Sequence, residues 1–225
     1  MIEHQMLLAA DFRQARLSRF VSNETTFEGC NFEKVRIDMA SMGAGRRASN
    51  YIRCKFDGAA IEMHPGGFAN FLDCTFNNVV LKRWTLSAGD LRSCQFSGTL
   101  STCIFRATVE DHLRPEFGRS RNALSDNDFS QATLINVSFR GGVDLTRQKL
   151  PQGGDYFLVL DGEQAISRAL KRLQAVPDAD MKRRSEIIVN RLARLRAGGQ
   201  EHFLLQRNTP GHDDIWPVLC GALSR

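Results

Sequence analysis

The residues of this chain that could ligate a metal or attack a substrate are chiefly its six cysteines and five histidines. The histidines, at 4, 64, 112, 202 and 212, are scattered. His202, His212, Asp213 and Asp214 come nearest to a ligand set, but their spacing matches no standard zinc site. Five of the cysteines (30, 54, 74, 94 and 103) stand two residues before a phenylalanine. A free cysteine in such a recurring slot reads as a small, readily buried hydrophobe. There is no Gly-x-Ser-x-Gly, no His-Glu-x-x-His and no nucleophile with an evident base partner. Gly43-Ala44-Gly45-Arg46-Arg47 places glycines beside arginines without the Gly-Lys-Ser/Thr of a phosphate loop, and reads as a surface bulge. The Lys182-Arg183-Arg184 run reads as a solvated helix face. Catalysis, a metal and a cofactor are therefore not expected.

What positions these cysteines is a register of five. Every fifth residue from Phe12 gives Phe12, Leu17, Ser22, Phe27, Phe32, Ile37 and Met42. A second run, from Tyr51, gives Phe56, Ile61, Gly66, Phe71, Phe76, Leu81, Leu86, Leu91 and Phe96. Of these seventeen positions only Ser22 and Gly66 are not apolar or aromatic. Neither the 3.6-residue helical period nor strand alternation generates a step of five, so an internal repeat sets the architecture. Small residues mostly precede each central residue by two, among them Ala10, Ala15, Thr25, Cys30, Ala40, Cys54, Ala59 and Cys74. Phe20, His64 and Trp84 occupy the same small-residue slot on one face, which predicts local widening of the coil and a buried, hydrogen-bonded His64.

This pattern resembles the pentapeptide-repeat family, whose A-(D/N)-L-x-x units form a right-handed quadrilateral β-helix. Ala10-Asp11-Phe12-Arg13-Gln14, Ala15-Arg16-Leu17-Ser18-Arg19, Cys30-Asn31-Phe32-Glu33-Lys34 and Cys74-Thr75-Phe76-Asn77-Asn78 are near-consensus units. The resemblance covers about residues 6 to 150. It implies that the central residue and the one two before it point inward, and that four units complete a coil. Successive coils would stack one strand spacing apart, roughly 4.8 Å. On that reading Phe12, Phe32, Phe56, Phe76 and Phe96 form one wall of the core, with Cys30, Cys54, Cys74 and Cys94 beside it. Stacked cysteine Cα atoms would lie within disulfide range, but their side chains run parallel, and a reduced packing ladder is the expectation.

The register breaks predict surface loops. Met42 to Tyr51 and Phe96 to Phe105 each span nine residues. Inserts are therefore expected near 43–50 and 97–104, aligning Phe105 with Leu17, Ile37, Ile61 and Leu81. A larger excursion is expected over 106–124, before Phe129, Leu134 and Phe139 resume the pattern. The expected organisation is an all-β solenoid over 1–150 and an α-helical appendage over 151–225. In the appendage Tyr156-Phe157-Leu158-Val159-Leu160 would form a last strand covering the open end. Apolar stripes predict helices over 163–174 and 179–197, with Asp178 or Asp180 as cap and Gly198-Gly199 as stop. A third helical segment would run from Asp213 or Asp214 through Leu223. These helices are expected to cap the solenoid or to join two copies in a homodimer.

The net charge is +5, and basic residues outnumber acidic ones only slightly on both sides of residue 150 (19 against 16, then 11 against 9). With its basic residues dispersed, the chain is not expected to bind nucleic acid. No signal-like segment or long apolar run is present, which predicts a cytoplasmic protein without membrane association. The expected function is a non-enzymatic scaffold for a protein partner. The resemblance adds an alternative: Qnr and MfpA-like members protect DNA gyrase from fluoroquinolones by imitating DNA with an acidic, rod-shaped dimer, which would imply a bacterial, antibiotic-resistance setting. Here the overall charge has the opposite sign. The carboxylates available for such a surface are Glu33 and Asp57 on one face and Asp38 and Glu62 on the next.

Overall fold

In the computed structural model, residues 1–63 and 68–225 are described; His64 and Gly66 lie outside them. The first 150 residues wind into a four-walled parallel β-solenoid. Each wall pairs with itself one coil later: Leu17↔Ile37↔Ile61↔Leu81 on one, Leu7↔Phe27↔Tyr51↔Phe71↔Leu91 on another. The ladders assemble into sheets of nine, six and three strands. Every wall is short because the chain must turn each fifth residue. The turning point is the residue two after the central one. Gln14, Lys34, Arg53, Asp73, Asn78, Arg83, Ser93, Asp126 and Asn136 all hold φ between 51° and 61° there. Left-handed backbone at a non-glycine residue costs on the order of 1 kcal/mol. The core must offset that cost at each corner.

It does so by stacking identical side chains. Phe12, Phe32, Phe56, Phe76, Phe96 and Phe129 form one column, with ring centroids 4.6 to 4.8 Å apart and planes within 9° of parallel. Phe27, Tyr51 and Phe71 form a second column at 4.8 Å. The separation equals the coil spacing, so the rings inherit their geometry from the backbone ladder. Ser22, the polar residue in the register, is fully buried and lies 2.8 Å from the Tyr51 hydroxyl, so each satisfies the other. Cys30, Cys54, Cys74, Cys94 and Cys103 are buried free thiols. Those of Cys30, Cys54 and Cys74 donate to the carbonyls of Leu7, Phe27 and Tyr51 on the preceding coil at 3.3 to 3.4 Å. Hydrogen bonding to Cys74, together with burial, raises the Cys54 thiol pKa, and burial pushes Cys103 up to about 12.

Three register breaks behave differently. The segment 43–50 is an outward bulge, pinned where Phe68 N–H donates to the Gly43 carbonyl at 2.7 Å. A Cβ on Gly43 would lie 1.7 Å from the Phe68 carbonyl oxygen. The expected insert at 97–104 does not form. Gln95–Ser101 is an unbroken strand, and Leu100 pairs with Leu81 and Leu134. The nine residues from Phe96 to Phe105 are a shortened unit of four followed by a normal unit of five. Phe105 therefore stands on the next wall, paired with Leu86 and Phe139. Gly98 makes the shortening feasible: its φ is 86°, and a Cβ there would meet the Val79 carbonyl at 2.3 Å. The true large excursion is 106–124. It carries a 3-10 turn over Asp111–Leu113 and the one-turn helix α1 (Arg114–Phe117). In the slot expected to widen, Phe20 and Trp84 are buried, and Ala40 pairs with Met63.

Beyond residue 150, Tyr156–Val159 does not extend the solenoid ladder. It pairs antiparallel with Phe203–Gln206 as a separate hairpin. The parallel ladder has already ended at Gln148–Lys149, and Pro151 follows two residues later. The hairpin lies between two cores: Leu204 packs into the solenoid, while Phe203 and Leu205 pack against helices α2 (Gly162–Leu173), α3 (Ala179–Ala197) and α4 (Trp216–Leu223). That division follows from strand alternation. Asp178 caps α3 by accepting from Asp180 and Met181 N–H at 2.9 Å.

Side chains, not backbone, close the last coil. Gln206 accepts from Val137 N–H at 2.8 Å and donates to the Val137 carbonyl at 2.9 Å. Gln200 does the same for Val143, at 2.9 Å in both directions. Each glutamine amide thus substitutes for the peptide of a next coil. The Tyr156 hydroxyl accepts from Leu134 N–H at 3.1 Å, and His202 Nδ1 accepts from Leu145 N–H at 3.2 Å.

Candidate interaction surface

Because central residues face inward, only corner and outward positions can meet another molecule. Among the described residues, no three His, Cys, Asp or Glu side chains gather as a metal would require. The two C-terminal histidines have structural partners: His202 sits in the end cap, and buried His212 places Nδ1 2.8 Å from the Gln206 carbonyl. Burial, and then the nearby Arg191, lowers the His212 pKa.

The register does bring Glu33 beside Asp57, one coil apart, since Lys34 N–H bonds to the Asp57 carbonyl. Both are half-buried. Asp57 is engaged by Asn77, accepting from its N–H at 2.9 Å and its Nδ2 at 3.2 Å. Exposed Asp38 and half-buried Glu62 follow Ile37 and Ile61 on the next wall. Glu62 is paired with Arg83 at 2.7 Å and stacks against Lys82. The first column continues upward as Asn77 and the second as Lys82, so neither extends as an acidic row. B-form DNA carries one charge per ~1.7 Å of axis, whereas these walls supply one carboxylate per ~4.8 Å over two coils.

A third polar column runs beside the wall of Tyr51, Phe71 and Leu91, through Asn50, Asn70 and Asp90. Asn70 Nδ2 donates to Asn50 Oδ1, and Asp90 N–H donates to Asn70 Oδ1, both at 2.8 Å. Asp90 in turn holds Arg92 at 2.6 Å and Arg119 at 2.9 Å. Arg119 belongs to the excursion, so this column anchors it. Buried Asn122 secures its base, accepting from Gly89 N–H at 3.1 Å and donating to the Arg106 carbonyl at 2.8 Å. The tip folds back toward the earlier bulge: the rings of Phe117 and Phe68 lie 4.5 Å apart. Both loops run into the same wall, that of Tyr51, Phe71, Leu91 and Leu124. With Phe68 between them they mark one raised edge, or ridge, of the solenoid, and Arg46 and Arg47 are exposed on the bulge. Sequence spacing located both loops but gave no sign that the excursion reaches Phe68, because that contact joins residues 49 apart.

No helix is long and apolar enough to cross a membrane among the described residues. No family model and no curated protein matches the chain. Among solved structures it is similar to HetL, a pentapeptide repeat protein involved in heterocyst differentiation regulation from the cyanobacterium Nostoc sp. strain PCC 7120. Identity is 16% over 67% of this chain and 83% of that one, with a TM-score of 0.19. The fold assignment therefore rests on the pairing and stacking described above.

Proposed function

We propose that this chain is a non-enzymatic scaffold of the pentapeptide-repeat type, and that it meets a protein partner along the ridge built from 43–50 and 106–124. The observation that carries this reading is that the excursion reaches back through Phe117 to Phe68, whose N–H bonds the Gly43 carbonyl at the foot of the bulge. A straight solenoid has flat walls with few features, whereas loops held on a rigid frame are the usual site of recognition. The ridge is anchored at its base by Asn122 and along its length by the Asp90–Arg119 pair, so little ordering entropy remains to be lost on binding.

The test is affinity capture from the native cell with two baits: the intact chain, and a variant whose 111–118 segment is replaced by a short Gly-Ser turn. A partner retained by the first and lost by the second supports the ridge. Equal capture by both baits, or none by either, removes it. The narrower reading, protection of DNA gyrase, draws on Glu33, Asp38, Asp57 and Glu62 alone. It is less favoured because Glu62 is neutralised by Arg83 and neither column continues. A gyrase supercoiling assay with a fluoroquinolone, showing neither rescue nor inhibition, would eliminate it. Homodimerisation through the C-terminal helices is a separate proposal, checked by the sedimentation mass.

A further inference from the structure

We propose that the cleft between the excursion and α3 is a binding site for a small molecule carrying a diphosphate group. The cleft encloses about 560 Å³ and is lined by Arg106, Thr108, His112, Arg140 and Arg194, with Glu110 and Asp111 also on its wall. Its size falls in the range of ordinary ligand pockets.

Arg106 and Arg140 are direct ladder partners on adjacent coils, so two guanidinium groups leave neighbouring rungs of one wall. Like charges directly opposite each other destabilise a sheet. Helix α3 adds Arg194 to the same cleft, and Arg191, one turn earlier, is close enough to act electrostatically on Arg140. Elsewhere the C-terminal region pairs its arginines: Arg168 with Asp161, Arg184 with Asp214, Arg196 with Glu201 and Arg207 with Asp213. Among the described residues, Arg140 and Arg194 in the cleft, and Arg191 beside it, have no carboxylate within ion-pair distance. Arg106 has only Glu110, at 3.5 Å.

The Arg106 Nε is itself buried without a hydrogen-bond acceptor and lies out of reach of a ligand in the cleft. Such a donor is costly to leave unpaired. Two like charges on adjacent rungs, facing an open cleft, are an arrangement that a bound anion would relieve. Asp111 is turned to Arg114 at 2.9 Å, so the repulsive wall is partly neutralised and the attractive side is the one formed by Arg140 and Arg194. Several guanidinium forks favour an anion with more than one oxygen face, which a diphosphate supplies and a monovalent carboxylate does not. No aromatic ring other than the His112 imidazole lines the cleft, so the phosphates, and not a base, would carry recognition.

The experiment is calorimetric titration of the full chain with inorganic pyrophosphate and, separately, with ADP, against sulfate at matched ionic strength. Saturable binding of either diphosphate in preference to sulfate is expected. Equal affinities would mean that the diphosphate alone is read, and tighter ADP binding would mean a nucleotide. R140Q and R194Q should each weaken binding about tenfold to a hundredfold, while R147Q, whose arginine is paired with Asp126, should not change it. Without ligand, R140Q should unfold at the same or a higher temperature than the parent, because it relieves the repulsion with Arg106. No binding of either diphosphate, sulfate binding equally well, or undiminished affinity in both R140Q and R194Q would overturn the proposal. Tighter binding of a single-stranded oligonucleotide than of pyrophosphate would also overturn it.

Discussion

The two ends of the solenoid present the same problem and treat it differently. At the C-terminal end, Gln200, Gln206, Tyr156 and His202 occupy backbone groups of the last coil, and Leu204 closes its core. At the N-terminal end, Ile2, Leu7, Phe12 and Leu17 are only partly buried, Met6 and Leu8 are exposed, and among the described residues nothing packs across them. The difference shows what makes a coil stable here. An inward residue is worth its full burial only when a coil lies on both sides of it, and a strand edge is quiet only when its polar groups are taken up.

The largest expected effect separates the middle of the phenylalanine column from its open end. Phe56→Ala should cost about 4 kcal/mol in urea unfolding, because it leaves a cavity between two stacked rings. Phe12→Ala, stacked on one side only, should cost about 1 to 2 kcal/mol. Equal losses would show that the first coil is as well packed as the third. Next, Gln206→Ala should cost about 3 kcal/mol, since it strands both the N–H and the carbonyl of Val137. A loss below about 1 kcal/mol would mean that water replaces the side chain and that the cap is dispensable.

A smaller effect concerns pH. The His212 pKa is lowered in the fold by burial and by Arg191, whereas the unfolded residue titrates near its ordinary value of 6.5. Below that value the unfolded state binds the extra proton first, so stability is complete above about pH 6.5 and declines as the pH falls. The decline is at most about 1.4 kcal/mol per pH unit. His212→Asn should flatten this slope between pH 6.5 and 5; an unchanged slope assigns it elsewhere. The smallest effect is at the open end, where Met6→Glu should change stability by no more than about 0.5 kcal/mol. A larger loss, growing with protein concentration, would mean that a second molecule covers that end.

The coil was legible because its step of five is a local constraint repeated at every corner. The reading failed where two geometries share one count. From Phe96 to Phe105, nine residues can be a unit of five with four inserted or a unit of four followed by one of five, and only the close approach of Gly98 to Val79 decides. The C-terminal helices were visible from apolar stripes, but the role of Gln200 and Gln206 was not. Nothing in a glutamine's neighbours along the chain says that its amide will stand in for a peptide group more than fifty residues earlier. The Arg106–Arg140 pair was hidden likewise, since the excursion replaces the usual step of 20 with one of 34. Glu33, Asp38, Asp57 and Glu62 fall in the columns the register implied. What the register could not show was how many of them already have partners.

The cysteine column has a consequence for how the molecule comes apart. Cys30, Cys54, Cys74 and Cys94 sit buried on successive coils, and the pKa values of Cys30, Cys54 and Cys74 are raised. A thiol reagent can therefore reach each one only after its own coil has opened. If the rod unzips from the end nearest residue 1, labelling proceeds in the order 30, 54, 74, 94. The ladder then acts as a clock whose ticks record the direction of unfolding one coil at a time.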